Sequence, residues 1–290
     1  MNPKLEIRYQ SRIAILLTCH NRKPLTDRCL NSIFDNTPEY AVVDVYLVDD
    51  GCTDGTAEMI RGKYPAVKLL PGDGNLFWNR GMHRAFSEAV KGDYDYYLWI
   101  NDDDLLYDGF LDKMLKTHET LAEDNKKIIL AGVMTDSTET TQTYGGTYII
   151  PSMIPLKMGQ RKMEEKPVQC DTFHGNCVLI HRSVVDTIGI IDPFYQHAFG
   201  DADYGLRATR NGCEVWMTNY YVGICDRHDE TDKWLDPKLS FRERRRDYHK
   251  KTANPPRDWK YFCKKFCGWN WWLRYWAPDF KLLVLSILGR

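Results

Sequence analysis

The chain has 290 residues, room for one large α/β domain with an appendage. Hydrophobic residues make up 43%, charged residues 27%, and the net charge is −1, a balance that excludes a disordered chain and gives the whole molecule no pull toward nucleic acid. No apolar run reaches the roughly 20 residues needed to cross a bilayer; the last, "FKLLVLSILGR", is too short.

In chain order, residues 12–18 (RIAILLT) read as a short buried strand, and Pro24 suits the first turn of a helix running to about Phe34. Residues 42–48 (VVDVYLV) form the second strand. The helix after it has Thr53 or Asp54 as N-cap. A third strand (AVKLL), a helix over 79–90 and a strand at 96–100 (YYLWI) follow. Phe110, Leu111, Met114, Leu115 and Leu121 recur at helical spacing, and "KIILAGVM" closes the series. Strands alternating with helices imply a mainly parallel sheet covered on both faces. Residues 135–169 read as hairpins and a mobile loop, and "CDTFHGNCVLIHRSVVDTIG" as strand then helix. "GDADYGLRATRNG" is a short helix closed by Gly212, and "EVWM" and "YVGI" are two strands. Beyond Asp232 the pattern is helical, basic and aromatic.

The nine cysteines include no C-x-x-C pair, and the opening "MNPKLEIRYQSR" is polar. Reduced thiols and a cytoplasmic location are expected. Cys263 and Cys267 lie one helical turn apart but lack partners at zinc-finger spacing.

In such sheets ligands bind beyond the carboxyl ends of the strands. The second strand delivers Asp49 and Asp50 to that edge; "LWINDDD" delivers Asp102, Asp103 and Asp104. Carboxylates packed this tightly repel one another beside a core. A bound Mg²⁺ or Mn²⁺ would neutralise both them and a diphosphate. Asp49 or Asp50 could instead accept hydrogen bonds from a ribose or a base. The bland alternative is helix capping or solvation, which weighs more for Asp50 and Asp54 than for the triple. The turn "TCHNRKPL" has no G-x-G-x-x-G, and neither a P-loop nor G-x-S-x-G occurs, which argues against nicotinamide, P-loop and serine-hydrolase chemistry.

These segments resemble the family 2 inverting glycosyltransferases of GT-A fold, rhamnosyltransferase-like, over about residues 11–230. "TCHNR" is similar to the family's T-x-N-R, and "VDDGCTDGT" to V-D-D-G-S-T-D-G-T with Cys52 for Ser. "GNLFWNRGMHRA" looks like the nucleotide-sugar segment, "INDDD" stands at the D-x-D position, and "FGDADYGLRATRNG" resembles E-D-x-D-L-x-x-R-x-x-x-x-G. The resemblance implies a nucleotide-diphosphate sugar donor, a UDP-sugar or dTDP-rhamnose, bound by Thr18, Asn21, Arg22, Asp49, Asp50, Trp78, Asn79, Arg80 and Asp102. It implies Mn²⁺ or Mg²⁺ held by Asp103, with Asp104 and Asp102 both candidates beside it because Asn101 stands at the first D-x-D position in that register, and with His228 at the place where some relatives have a histidine ligand. Asp201 matches the general base. Gly200 stands where the family often has Glu, which puts a neighbouring contact in doubt. His174 reads as a core histidine bonded to backbone.

The implied reaction is a single displacement. The acceptor hydroxyl attacks the anomeric carbon while Asp201 takes its proton. The expected organisation is a GT-A catalytic domain over 1–231 (donor half 11–133, acceptor half 134–231) and a helical extension over 232–290. Residues 241–265 carry ten Lys/Arg against three Asp/Glu, and ten aromatics follow over 259–280. That suits either a peripheral anchor at the inner membrane face, close to a glycan or lipid-linked acceptor, or a helical pack on protein. No recognition motif points to nucleic acid. The rivals are a sugar nucleotidyltransferase, whose glycine-rich basic loop is missing, and a non-catalytic carbohydrate-binding protein of the same fold.

Overall fold

The computed structural model describes residues 11–123, 127–227, 234–250 and 254–288. The first half runs β1 (Arg12–Cys19), α1 (Lys23–Asp35), β2 (Val42–Asp49), α2 (Thr56–Lys63), β3 (Lys68–Pro71), α3 (Phe77–Ala89), β4 (Tyr96–Trp99), β5 (Leu105–Leu106), α4 (Phe110–Leu121) and β6 (Ile128–Thr135). Next come β7 (Gln142–Tyr144), β8 (Gly146–Ile150), β9 (Lys157–Gln160), β10 (Val168–Cys170), β11 (Thr172–Phe173), β12 (Val178–His181) and α5 (Arg182–Ile188). The last third holds α6 (Gly200–Arg210), β13 (Glu214–Ile224), α7 (Phe241–Tyr248), α8 (Pro256–Phe266) and α9 (Trp271–Ile287).

The main sheet has the order β10-β13-β6-β12-β4-β1-β2-β3. Side chains alternate across a strand, so each buried strand feeds two cores. Ile13, Ile15 and Leu17 of β1 pack with Cys29, Leu30 and Ile33 of α1 and Ile60 of α2. Ala14 and Leu16 pack with Met82, Ala85 and Phe86 of α3 on the other face. Burying both faces is why β1 reads as a continuous apolar run.

The sheet is more mixed than alternation predicts. β1, β2, β3 and β4 are parallel, but β12 is antiparallel to both β4 and β6. A short buried run encodes no direction; its connections set that. "EVWM" and "YVGI" form one strand, β13, whose pairing with β6 shifts register between Met217 and Tyr221. Residues 135–169 hold several short strands joined by turns: β8 joins β9 and β11 in a separate antiparallel sheet. The N-cap of α2 is Gly55, in the left-handed region; Asp54 sits one residue earlier and accepts from the Thr56 N–H at 3.1 Å.

The C-terminal helices pack on the α/β part of the chain. Trp259, Phe262 and Phe266 of α8 share a core with Leu156, Tyr195 and Leu206. On α9 the usual polarity is reversed. Trp272, Trp276, Phe280, Leu283 and Ile287 are exposed, with Phe280 at 68% and Ile287 at 74%. Their spacing of three and four draws one stripe along the helix. Two of its charged residues turn the other way: Asp279 accepts from Arg245 (2.8 Å), and Arg274 lies over the Trp259 ring (5.1 Å), whereas Lys281 is exposed beside the Trp234 ring (5.0 Å). Among the described residues, no helix is long and apolar enough to cross a membrane.

Candidate active site

The ends of β1, β2 and β4 are neighbours in one sheet, so their loops meet at one edge. Asp50, almost wholly buried, accepts from the backbone N–H groups of Gly74 (2.8 Å), Leu76 (3.2 Å) and Phe77 (3.0 Å). Its carboxylate thereby fixes the turn into α3. Asp49 accepts from the Cys52 N–H (2.8 Å), and the Asn21 side-chain oxygen from the Thr53 N–H (2.7 Å). Arg22 reaches across to donate to Asp103 (2.7 Å), with Asp102 at 3.5 Å.

The acid triple is split by depth. Asp103 is half-buried, whereas Asp102 and Asp104 are buried. Burial pushes the Asp102 carboxyl up to about 7 against the opposing pull of Arg22. Burial, with Asp103 alongside, pushes Asp104 up to about 7 as well. Asp104 accepts from the Asn101 N–H (2.9 Å) and faces Asn176. Donor atoms of Asp103, Asp104 and Cys225 all lie within 4.8 Å of one another.

The other wall comes from the start of α6. Asp201 accepts from the N–H groups of Ala202 (2.7 Å) and Gly175 (3.0 Å). Phe199, just before the helix, has φ 73°, and Phe77, at the start of α3, has φ 58°. Bulky residues are rarely found there, and such backbone clusters at functional sites. Trp78 donates its indole N–H to the Asn101 side-chain oxygen (2.7 Å), and its ring packs edge-on to Trp99. Gly175 leaves the room: a Cβ there would lie 2.6 Å from the Trp78 ring.

These walls enclose a cleft of about 630 Å³. Of the residues expected at the site, Thr18, Arg22, Asp50, Trp78, Asp102, Asp103 and Asp201 line it. Five described ones do not. Asn79 is fully buried and donates to the carbonyls of Asp192 and Tyr195, both at 2.8 Å, and Arg80 donates to the Pro193 carbonyl at 3.3 Å. Both sit past Trp78 on α3 and brace the segment before α6 rather than face the cleft. Asn21, Asp49 and Asp104 are engaged in the loop bonds above. His228 lies outside the described residues. His174 bonds the Gly145 carbonyl (3.1 Å), as a core histidine would.

His20, Tyr144, Asn176, His197 and Phe199 also line the cleft, and sequence reasoning passed over them. His20 carried a signal, adjoining the "TCHNR" turn; its ring nitrogen lies 2.6 Å from the Asp50 carbonyl. Tyr144 and His197 stand in segments with no local pattern.

The family model for glycosyl transferase family 2 matches residues 14–189. The chain is 25% identical over 203 residues to N-acetylglucosaminyl-diphospho-decaprenol L-rhamnosyltransferase of Mycobacterium tuberculosis, in strains CDC 1551 / Oshkosh and ATCC 25618 / H37Rv. The match covers 61% of this chain and spans 64% of the length of those relatives. Two solved structures share the fold. GalNAc-T7 with UDP, GalNAc and Mn²⁺ gives a TM-score of 0.56 at 11% identity, over 74% of this chain and 43% of that one. TarS 1-349 of S. aureus in complex with UDP-GlcNAc gives 0.52 at 12% identity, over 75% of this chain and 59% of that one.

Proposed function

The chain belongs to glycosyl transferase family 2, and from that premise we propose that it transfers a sugar, with inversion, from a nucleotide-diphosphate donor to an acceptor hydroxyl. The observation that carries this reading is that Asp103 and Asp201, nearly a hundred positions apart in sequence, line one cleft. The donor is a UDP-sugar or dTDP-rhamnose, and the rhamnosyltransferase relative supports the latter.

Asp103, with Asp104 and Cys225 beside it, would hold Mn²⁺ or Mg²⁺. The donor set fits: two carboxylates suit a hard cation, and a cation there would favour the charged form of buried Asp104, which burial and neighbouring Asp103 push toward protonation. Bound there, such an ion supplies Lewis acidity toward the diphosphate oxygens. Arg22, beside Asp103, adds a fixed positive charge where the leaving diphosphate gains negative charge. Asp50 shapes the donor pocket through the turn it holds, and Trp78 offers a ring face to the sugar. Asp201 accepts the hydroxyl proton as the acceptor oxygen bonds to the anomeric carbon. Each of its oxygens takes one backbone N–H, and a carboxylate oxygen has a second lone pair for that proton.

The acceptor reading is a glycan or lipid-linked hydroxyl delivered at a membrane surface. The outward stripe of α9 supports it. Trp and Phe settle at the headgroup level, and the basic residues of 241–265 attract anionic lipid. Cosedimentation with phosphatidylglycerol vesicles, lost in a Trp276→Ser/Phe280→Ser double variant, is expected. Equal pelleting of both proteins would remove the membrane contact.

The deciding experiment measures nucleoside diphosphate release from a panel of UDP-sugars and dTDP-rhamnose with Mn²⁺, Mg²⁺ or EDTA. Release from one donor, abolished by EDTA, is expected. Silence across the whole panel in both metals would favour the binding-protein alternative, and full activity in EDTA would remove the metal role.

A further inference from the structure

The parallel ladder between β1 and β2 sets Cys19 opposite Asp49, and Cys52 follows three residues later. The Asp49 carboxylate accepts from the Cys52 N–H at 2.8 Å and so folds the loop back over the strand end. The two sulfurs stand 3.8 Å apart. Donor atoms of Cys19, Asp49 and Cys52 all lie within 4.8 Å of one another. The backbone N–H of Asn21 points at the Cys52 sulfur, 3.2 Å away, a bond that strengthens when the sulfur becomes a thiolate. Cys52 is half-buried, so the pair can be reached from outside, and Cys19 lines the cleft.

Two thiolates bound to one tetrahedral zinc, each at about 2.3 Å, lie about 3.75 Å apart. The thiols are therefore already spaced for a shared ion. Two sulfurs and one carboxylate oxygen form a soft donor set, unlike the oxygen-rich acid cluster at the end of β4. Three protein ligands leave the fourth position open.

We propose that Cys19, Asp49 and Cys52 form a second metal site, selective for a thiophilic divalent cation such as Zn²⁺, whose occupation closes the nucleotide end of the cleft. Binding converts two thiols and the aquo ion into two metal–sulfur bonds and releases two protons to solvent. No electrons move. The blocking consequence rests on the glycosyltransferase reading, because it assumes that the donor's nucleotide lies against Cys19, the member of the trio that lines the cleft. The binding itself does not depend on that reading.

Cobalt(II) tests the two parts separately. Titrated into the reduced full chain in excess Mg²⁺, which occupies the acid cluster, Co²⁺ is expected to give an intense thiolate-to-metal charge-transfer band that saturates at one equivalent and is displaced by Zn²⁺. Cys52→Ser should weaken Co²⁺ binding by at least about 100-fold, since it removes a direct ligand. Asp49→Asn, which keeps the shape of the loop, should weaken it as well. Asp103→Ala should leave the band in place. Absence of the band in the wild-type chain, or an undiminished band in Cys52→Ser, overturns the site. Zn²⁺ should also inhibit donor turnover in the wild type and spare Cys52→Ser. Equal inhibition of both proteins overturns the blocking role while leaving the spectroscopic result to stand by itself.

Discussion

The Lys265 ammonium of α8 lies 2.6 Å from the Asp203 carboxylate of α6 and 2.9 Å from that of Asp192. Asp203 is fully buried, and it also meets Arg207 (2.6 Å) and the Tyr195 hydroxyl (3.0 Å). The C-terminal extension is thus wired to the helix that carries Asp201. Lys265→Met would leave Arg207 in place but strip one cation from two carboxylates. A loss of about 2–3 kcal/mol is expected, the scale of a buried charge-assisted contact. Lys265→Arg should keep most of it. Urea midpoints measure both, and a wild-type midpoint for Lys265→Met would show that apolar packing alone holds α8.

Asp201→Asn tests the proton acceptor. The amide is close in shape but cannot take the acceptor proton. Turnover should fall by about 10²–10⁴, the usual contribution of a positioned base. Donor binding, read by calorimetry, should persist. One backbone N–H at Ala202 or Gly175 would then face an amide NH₂, so circular dichroism must accompany the assay. Near-normal turnover by a folded variant would mean that the proton goes elsewhere.

The parts of this site visible in the sequence are those set by neighbouring residues. The apolar run of β1, the acids at the ends of β2 and β4, and the order of the short motifs all declare themselves locally. What stayed hidden depends on the return of distant chain. Cys225 joins Asp103 and Asp104 only because the end of β13 comes back to pair with β5, Ile224 opposite Leu105. Asn79 and Arg80 sit in a motif-like segment, yet the helix turns them toward the carbonyls of residues 192–195. Phe77 and Phe199 adopt a backbone region that their side chains disfavour, so no propensity could announce it. By composition the aromatics of the tail suit an anchor or packing on protein equally, and only the packed structure shows which of them face outward.

Gly200 occupies the position where the resembled motif carries Glu. The motif alone suggests that a carboxylate interaction is missing there, but the structure gives a steric reason for glycine. A Cβ at Gly200 would lie 1.5 Å from the side-chain oxygen of Asn79, itself fully buried and, among the described residues, without a hydrogen-bond partner. Gly200→Ala should therefore destabilise by about 1–3 kcal/mol through overpacking, and Gly200→Glu should fare worse rather than restore anything. Asn79→Ala alone loses two bonds to the backbone. Combined with Gly200→Ala it relieves the clash, so the double variant should be less damaged than the two single losses added. Strict additivity in thermal denaturation would show that the two residues do not press on each other.

His118 of α4 supplies a pH dependence that lies apart from the cleft. Its ring is buried, one nitrogen meets the Tyr96 hydroxyl at 3.2 Å, and it stacks on His181 with centroids 5.3 Å apart. The other nitrogen, among the described residues, has no partner. Burial, with His181 alongside, pulls its pKa down to about 4. An unfolded histidine titrates near about 6.5. Between these values the unfolded chain binds the proton and the folded chain does not, so acid favours unfolding. The contribution is complete above about pH 6.5 and is lost as pH falls toward 4, about 3 kcal/mol in all. His118→Phe forfeits the Tyr96 bond at every pH but removes this slope. From pH 7 to 4.5 the wild type should lose more stability than the variant by about 2–3 kcal/mol. Parallel stability curves would mean that the ring protonates inside the folded protein as readily as outside it.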